Sequence, residues 1–244
     1  MKKGFMMIAG LCLMLSYGAS SCTSKSQNAS TQTESNITST EKDPLADLKD
    51  GNKRFCSGQL HHNHQDIDRI KELCTGQNPK AVVVTCSDSR VPPEIIFDQG
   101  LGDIFTIRTA GNVMNDYEEG SVEYAAEHLH TKLVIVMGHE GCGAVTAMLE
   151  HSDKQSAVIN DDCEEEHNHI SSIIAALESE EEADEALKHT GDRCSAMVRA
   201  NVVHGVKQLR KSKPILSHLY DKEEIQIIGA VYHLDSGEVE FLDI

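Results

Sequence analysis

Residues 81–90 read Ala81-Val-Val-Val-Thr-Cys-Ser-Asp-Ser-Arg90. The first five are apolar or β-branched with no polar alternation, the pattern of a strand buried on both faces. A cysteine, an aspartate and an arginine follow where that strand ends. The pattern recurs downstream: Leu133 to Met137 is another continuous apolar run, followed by Gly138-His-Glu-Gly-Cys142-Gly-Ala. Ile104 to Ile107 is a short strand between the two. Ile225 to Tyr232 is a further one, broken by Gly229.

Helical spacing fills the gaps. Leu45, Leu48 and Phe55 predict a helix from Pro44 to Phe55, with proline in its first turn. Ile67, Ile70 and Leu73 suggest a second helical piece. Gly120 to His130 reads as a helix with Val122, Ala125, Ala126 and Leu129 inward, Cys142 to Leu149 as another, and Met197 to Leu209 as one ending before Pro214. Strands separated by helices predict an α/β fold, a mainly parallel β-sheet of about four core strands flanked by helices. In such sheets sites lie at the carboxyl ends of strands, where Cys86 and His139 both fall.

The chain has 244 residues and a formal charge of −17. That charge excludes nucleic acid as a partner, which needs a basic face. Eight cysteines, at 12, 22, 56, 74, 86, 142, 163 and 194, are too few for a disulfide scaffold at this length. Whether Cys56 pairs with Cys74, or Cys163 with Cys194, is open at this level, because sequence does not set Cα separation.

Lys2 and Lys3 precede a short apolar run from Phe5 to Leu15, too short to span a bilayer. Ala19-Ser-Ser21 then precedes Cys22. Residues 1–21 are expected to be a signal peptide, with Cys22 a lipidation site resembling a bacterial lipobox, although Ala19 stands where leucine is usual. Their removal takes away two lysines and no acid, leaving −19. Thr23 to Lys42 is polar and cannot bury a core. Residues 22–42 therefore read as anchor and disordered tether, with a root-mean-square span of roughly 25 Å. The implied location is the bacterial cell envelope (periplasm), with the chain lipid-anchored to a membrane. Residues 43–244 form the folded domain, with an acidic insertion at about 150–190. Within it, Glu178 to Asp184 reads as a solvated helix face or loop. His61, His62 and His64, and His167 and His169, read as solvated surface rather than a second metal site.

Cys86, His139 and Cys142 offer two thiolates and an imidazole, a soft ligand set suited to zinc. Three protein ligands leave one position open, as catalytic zinc sites do. Asp88 can accept a hydrogen bond beside that position. Arg90 can hold Asp88 ionised and away from the metal.

These residues and their neighbours resemble the β-class carbonic anhydrases. The resemblance rests on Cys86-Ser-Asp-Ser-Arg90, Gly102-Asp-Ile-Phe105, Arg108-Thr-Ala-Gly-Asn112 and Gly138-His-x-x-Cys-Gly143. Gly51-Asn-x-Arg-Phe55 and Ile228-Gly-Ala-x-Tyr232 support it near the two ends. It covers Asp43 to Ile244, interrupted in the acidic segment. It implies reversible hydration of carbon dioxide to bicarbonate and a proton through zinc-bound hydroxide, with one zinc per subunit. By resemblance Cys86, His139 and Cys142 bind the metal, and Asp88 with Arg90 forms an orienting dyad. Gln99 and Tyr124 line the substrate cleft, and the Gly143 amide meets substrate. A homodimer or larger homo-oligomer is also implied, with clefts at the subunit interface.

The rival reading is a catalytically silent zinc protein of the same fold, acting as a carbon dioxide or bicarbonate sensor or binding protein. A thiol redox role is disfavoured, because no Cys-x-x-Cys occurs. Some family members carry a second bicarbonate site built from Trp, Arg and Tyr. Arg108 and Tyr232 match two of those positions, but Val83 stands at the Trp position and the chain has no Trp. The expectation is an open site, with Asp88 on Arg90.

Overall fold

A computed structural model describes residues 43–157 and 168–244. The signal segment, Cys22, the tether, Cys163 and His167 lie outside the described residues. Cys56 and Cys74 are free thiols, both exposed, and Cys194 is free as well.

Five strands form one sheet in the order β2-β1-β3-β4-β5. They are β1 (Ala81–Cys86), β2 (Ile104–Thr109), β3 (Leu133–His139), β4 (Gln226–Tyr232) and β5 (Val239–Leu242). The first four are mutually parallel, and β5 runs antiparallel to β4. The unbroken apolar runs belong to β1 and β3, which are central and buried at every residue. A strand covered on both faces gains nothing from polar alternation.

The helices are α1 (Pro44–Ser57), α2 (Ile67–Leu73), α3 (Pro93–Ile96), α4 (Asp116–His128), α5 (Gly143–Ala157), α6 (His169–Glu178), α7 (Ala183–Leu187), α8 (Arg193–Lys211) and α9 (Leu216–Asp221). The longest, α8, turns Met197, Val198, Val202, Val206 and Leu209 into the core. These valines fill the space above Gly138 and Gly229, where a Cβ would clash with them.

The fifth strand was not anticipated. It follows β4 through a hairpin whose Gly237 has φ 77°, and Asn52 of α1 ties it down. The Asn52 amide donates to the carbonyls of Ile96 (3.2 Å) and Gly237 (2.9 Å), and its oxygen accepts from Val239 N (2.9 Å). The neighbouring Arg54 pairs with buried Asp98 at 2.6 Å.

The acidic stretch departs from the expectation of a solvated face. Glu180 is buried, without a hydrogen-bond partner for its Oε2. Burial, with Glu182 adding like charge, pushes its carboxyl up to about 8. Glu182 reaches α8, 2.9 Å from His204 Nδ1 and 2.7 Å from Lys207 Nζ. The segment folds back because α7 buries Ala183 and Ala186, which carries Glu180 inward while Glu181, Asp184 and Glu185 stay exposed.

Candidate metal centre

The sheet itself brings the soft ligands together. Thr85 of β1 is in register with Met137 of β3, so Cys86 and His139 leave adjacent parallel strands side by side. Cys142 follows after a turn in which Gly141 takes φ 60°, a backbone conformation costly for residues with a Cβ. It immediately precedes α5, so its sulfur accepts from the Ala144 and Val145 amides, and the helix N-terminus favours a thiolate there.

The ligand atoms of Cys86, His139 and Cys142 all lie within 4.8 Å of one another, and all three residues are buried. His139 Nδ1 lies 2.9 Å from the Glu140 carbonyl. A carbonyl only accepts, so Nδ1 carries the proton and Nε2 presents its lone pair. That Nε2 is buried with no hydrogen-bond partner, a costly state for a polar atom unless something else binds it. Cys86 Sγ accepts from the amides of Asp88 (3.4 Å) and Gly111 (3.3 Å). Gly111 reaches it from a turn at φ 69°. Hydrogen bonding from Cys142 holds the Cys86 thiol well below its ordinary value against the opposing effect of burial. The same contact pushes Cys142 up. A divalent cation among the three would deprotonate both sulfurs. The donor set therefore fits a zinc-like ion.

Asp88 and Arg90 close one side. Arg90 donates from Nε to Asp88 Oδ1 (2.9 Å) and from a terminal nitrogen to Oδ2 (2.7 Å), and its backbone amide also donates to Oδ1 (2.9 Å). A further bond to the Gly141 carbonyl (3.3 Å) ties the arginine to the turn before Cys142. The Arg90 guanidinium holds the Asp88 carboxyl far below the usual carboxylate range. Asp88 Oδ2 is 3.9 Å from His139 Nε2, so the carboxylate borders the ligand cluster while staying on the arginine. The Asp88–Arg90 pairing is the one expected from the sequence. Arg108 packs against the loop that carries Asp88. Its guanidinium donates to the carbonyls of Cys86 and Asp88 and so braces the loop from behind.

Comparison with known proteins identifies the lineage. A carbonic anhydrase family model matches residues 81–239, a span that includes Cys86, Asp88, Arg90, His139 and Cys142. The chain belongs to the carbonic anhydrase family. A carbonic anhydrase of Mycolicibacterium smegmatis is 39% identical over 196 residues, covering 79% of this chain and 89% of that protein. Carbonic anhydrase 2 of Mycobacterium tuberculosis is 50% identical over 114 residues, covering 47% of this chain. That match spans about half (52%) of the relative's length. Among solved structures, the β-carbonic anhydrase CcaA superposes with a TM-score of 0.61 at 26% identity, covering 82% of this chain and 95% of the other. The β-carbonic anhydrase CafA of Aspergillus fumigatus gives 0.57 at 26%, covering 82% and 88%. The β-class assignment thus stands on sequence and fold together.

Within one subunit, Gln99 and Tyr124, both expected to line the substrate cleft, lie away from the ligand cluster. Gln99 is buried, donating to the Phe97 carbonyl (2.9 Å) and accepting from Lys80 Nζ (2.9 Å). Lys80 precedes β1, so Gln99 sits at the amino end of the sheet, roughly 20 Å of strand from Cys86. Within one subunit its polar atoms are occupied and it is covered. Tyr124 lies on α4 against Phe105 and His128, with ring centroids 6.3 and 5.2 Å away. It is 48% exposed, and Phe105 is in register with Val82 near the start of β1. Gly143 is the first residue of α5, directly after Cys142, with open space where a Cβ would stand.

Proposed function

We propose that this chain catalyses the reversible hydration of carbon dioxide to bicarbonate and a proton, using one zinc ion per subunit held by Cys86, His139 and Cys142. The observation that carries the reading is the buried, unpartnered Nε2 of His139 facing two cysteine sulfurs beside an arginine-bound aspartate. When bound, zinc supplies Lewis acidity that makes hydroxide available near neutral pH.

The remaining work falls to the chain. Asp88 accepts a hydrogen bond from the attacking oxygen and aims its lone pair at the carbon. Arg90 holds that carboxylate in its acceptor state and prevents it from closing the open position. The Gly143 amide, at the start of α5, is placed to donate to an oxygen of bicarbonate, with the helix terminus favouring the developing negative charge. The glycine leaves room for substrate to approach that amide.

The proposal includes a homodimer or larger assembly. The β2 edge of the sheet has no partner strand within the described residues, and Tyr117 and Tyr124 of α4 are exposed. Tyr124 then contacts substrate in the cleft of a neighbouring copy. The proposal also includes export to the envelope and lipid attachment at Cys22. Its support is the Lys2-Lys3, Phe5 to Leu15 and Ala19-to-Cys22 pattern of the sequence.

Cys142→Ser tests the centre, since a hydroxyl is a poor zinc ligand. The variant should lose bound zinc, by elemental analysis, and stopped-flow carbon dioxide hydration together. Full metal with full activity would overturn the assignment. Cys22→Ser should move the protein from the membrane fraction to the soluble envelope fraction. A mature N-terminus without acyl chains in the parent would remove the anchor from the proposal.

A further inference from the structure

Behind His139 a chain of charged side chains leads away from the metal centre and across three elements. Glu140 follows the ligand directly. Its amide donates to the Tyr232 carbonyl (3.1 Å), and its own carbonyl accepts from His139 Nδ1 (2.9 Å). Its carboxylate Oε1 lies 2.8 Å from His233 Nδ1. On the other side of that ring, His233 Nε2 lies 3.2 Å from Glu240 Oε2 on β5. Glu240 in turn receives both terminal nitrogens of Arg199 on α8. The His233 amide is also tied, to the Glu238 carbonyl (2.9 Å).

We propose that His233 and Glu140 are positioning residues for the metal centre, a brace that fixes the Glu140 carbonyl and through it the tautomer and tilt of His139. The proposal rests on the reading of Cys86, His139 and Cys142 as a zinc site.

The physical argument is one of constraint. A metal-binding histidine must keep its proton on the other ring nitrogen, and the acceptor of that proton sets both tautomer and ring orientation. Here the acceptor is a backbone carbonyl, which moves whenever its peptide rotates. Glu140 sits where β3 has ended and the chain turns through Gly141, a place with few restraints of its own. Its amide is held by β4 and its side chain by His233, so the peptide is gripped on both sides. His233 cannot drift, because Glu240 and Arg199 fix its far nitrogen. The brace thus couples the ligand to β4, β5 and α8, elements that supply no ligand themselves.

Two substitutions of His233 separate the roles of its nitrogens. Asparagine places an amide nitrogen near the Nδ1 position and preserves the bond to Glu140. Glutamine mimics Nε2, preserving the Glu240 side and losing the Glu140 side. The experiment loads the full chain with zinc and follows release into excess chelator with a metal-sensitive dye. It also records thermal unfolding of the metal-free proteins and the visible spectrum of the cobalt-substituted forms. His233→Gln and Glu140→Ala should release zinc about tenfold faster or more, in line with the effect of outer-sphere partners on metal affinity, and shift the cobalt bands. His233→Asn should behave like the parent. Release at the parent rate in all three variants would overturn the proposal. So would equal acceleration in His233→Asn and His233→Gln together with an equal loss of metal-free stability, which marks a purely structural tie. A parent chain that holds no zinc would overturn the metal-site reading and this proposal together. A zinc-loaded parent with unmoved variants overturns this one alone.

Discussion

Of the buried side-chain polar atoms without a hydrogen-bond partner among the described residues, two stand in contrasting surroundings. His139 Nε2 faces two sulfurs at the carboxyl ends of β1 and β3, and Glu180 Oε2 lies where the acidic segment folds against α8. The first sits in a frame in which neighbouring groups are assigned. Nδ1 is on a carbonyl, Asp88 is on Arg90, and two amides point at Cys86. The second has no such frame. Glu182 adds like charge to it and spends its own charge on His204 and Lys207. A buried lone pair surrounded by donors of matching softness is a binding site. A buried carboxyl without a counter-charge escapes its cost by staying protonated.

That contrast has consequences of different size. The largest belongs to the metal end. Asp88→Asn should keep zinc yet lose carbon dioxide hydration by about two orders of magnitude, the usual range for a positioned proton acceptor. Arg90→Ala should lose a similar amount by freeing Asp88 to approach the ligand cluster. Stopped-flow rates beside zinc content decide the matter, and parent-like rates in both variants would strip the dyad of its role.

A middle-sized effect belongs to Glu180. Its folded carboxyl is raised to about 8 against an unfolded value near 4.5. Between these values the native state holds a proton that the unfolded chain has shed. Stability is therefore full below about pH 4.5 and declines as pH rises towards 8. Glu180→Gln cannot ionise and should flatten that decline. Melting temperatures should match the parent near pH 5 and exceed it by several degrees at pH 9, taking about 2–4 °C per kcal/mol for a domain of this size. Parallel pH curves for the two proteins would show that Glu180 is not buried in solution. Asp88 has the opposite sign. Its depressed carboxyl stabilises the fold above the ordinary carboxylate range, and that support is lost as the medium becomes strongly acidic.

The smallest effect should come from Glu182→Gln, which weakens a partly exposed link to α8. With Lys207 about half exposed, the loss should be about 1 kcal/mol or less. Chemical denaturation at neutral pH measures it. A loss several times larger would mean that the acidic segment is anchored mainly by charge rather than by Ala183, Ala186 and Leu177.

Legibility followed burial and length. The strands β1 and β3 were readable because complete burial forces an unbroken apolar run. Helix α8 was readable because nineteen residues allow several repeats of its apolar stripe. The helices α3, α7 and α9 were not, since four to six residues hold too little periodicity to register. The four-residue β5 escaped for the same reason, although Asp235-Ser-Gly237 before it carries turn chemistry. The three metal-ligand candidates and the Asp88–Arg90 pair were legible because their chemistry is local: a soft ligand or a charged neighbour at a strand end. The surroundings of Gln99 were not legible, because they depend on the path of α3 and the reach of Lys80, neither of which leaves a pattern in the sequence.

The sequence by itself determined the α/β class, the ends of the strands at which a site must lie, and the kinds of atom available there. Those follow from periodicity and side-chain chemistry, which act over a few residues. Only the tertiary structure decided that Cys86 and His139 are neighbours, because strand order sets β3 beside β1. It also decided which nitrogen of His139 is free, because the Glu140 carbonyl is within reach of the other. The burial of Glu180 and the link from Arg199 through Glu240 and His233 to Glu140 were likewise decided there. Each of these joins residues far apart in the chain, and such contacts exist only once the core has packed.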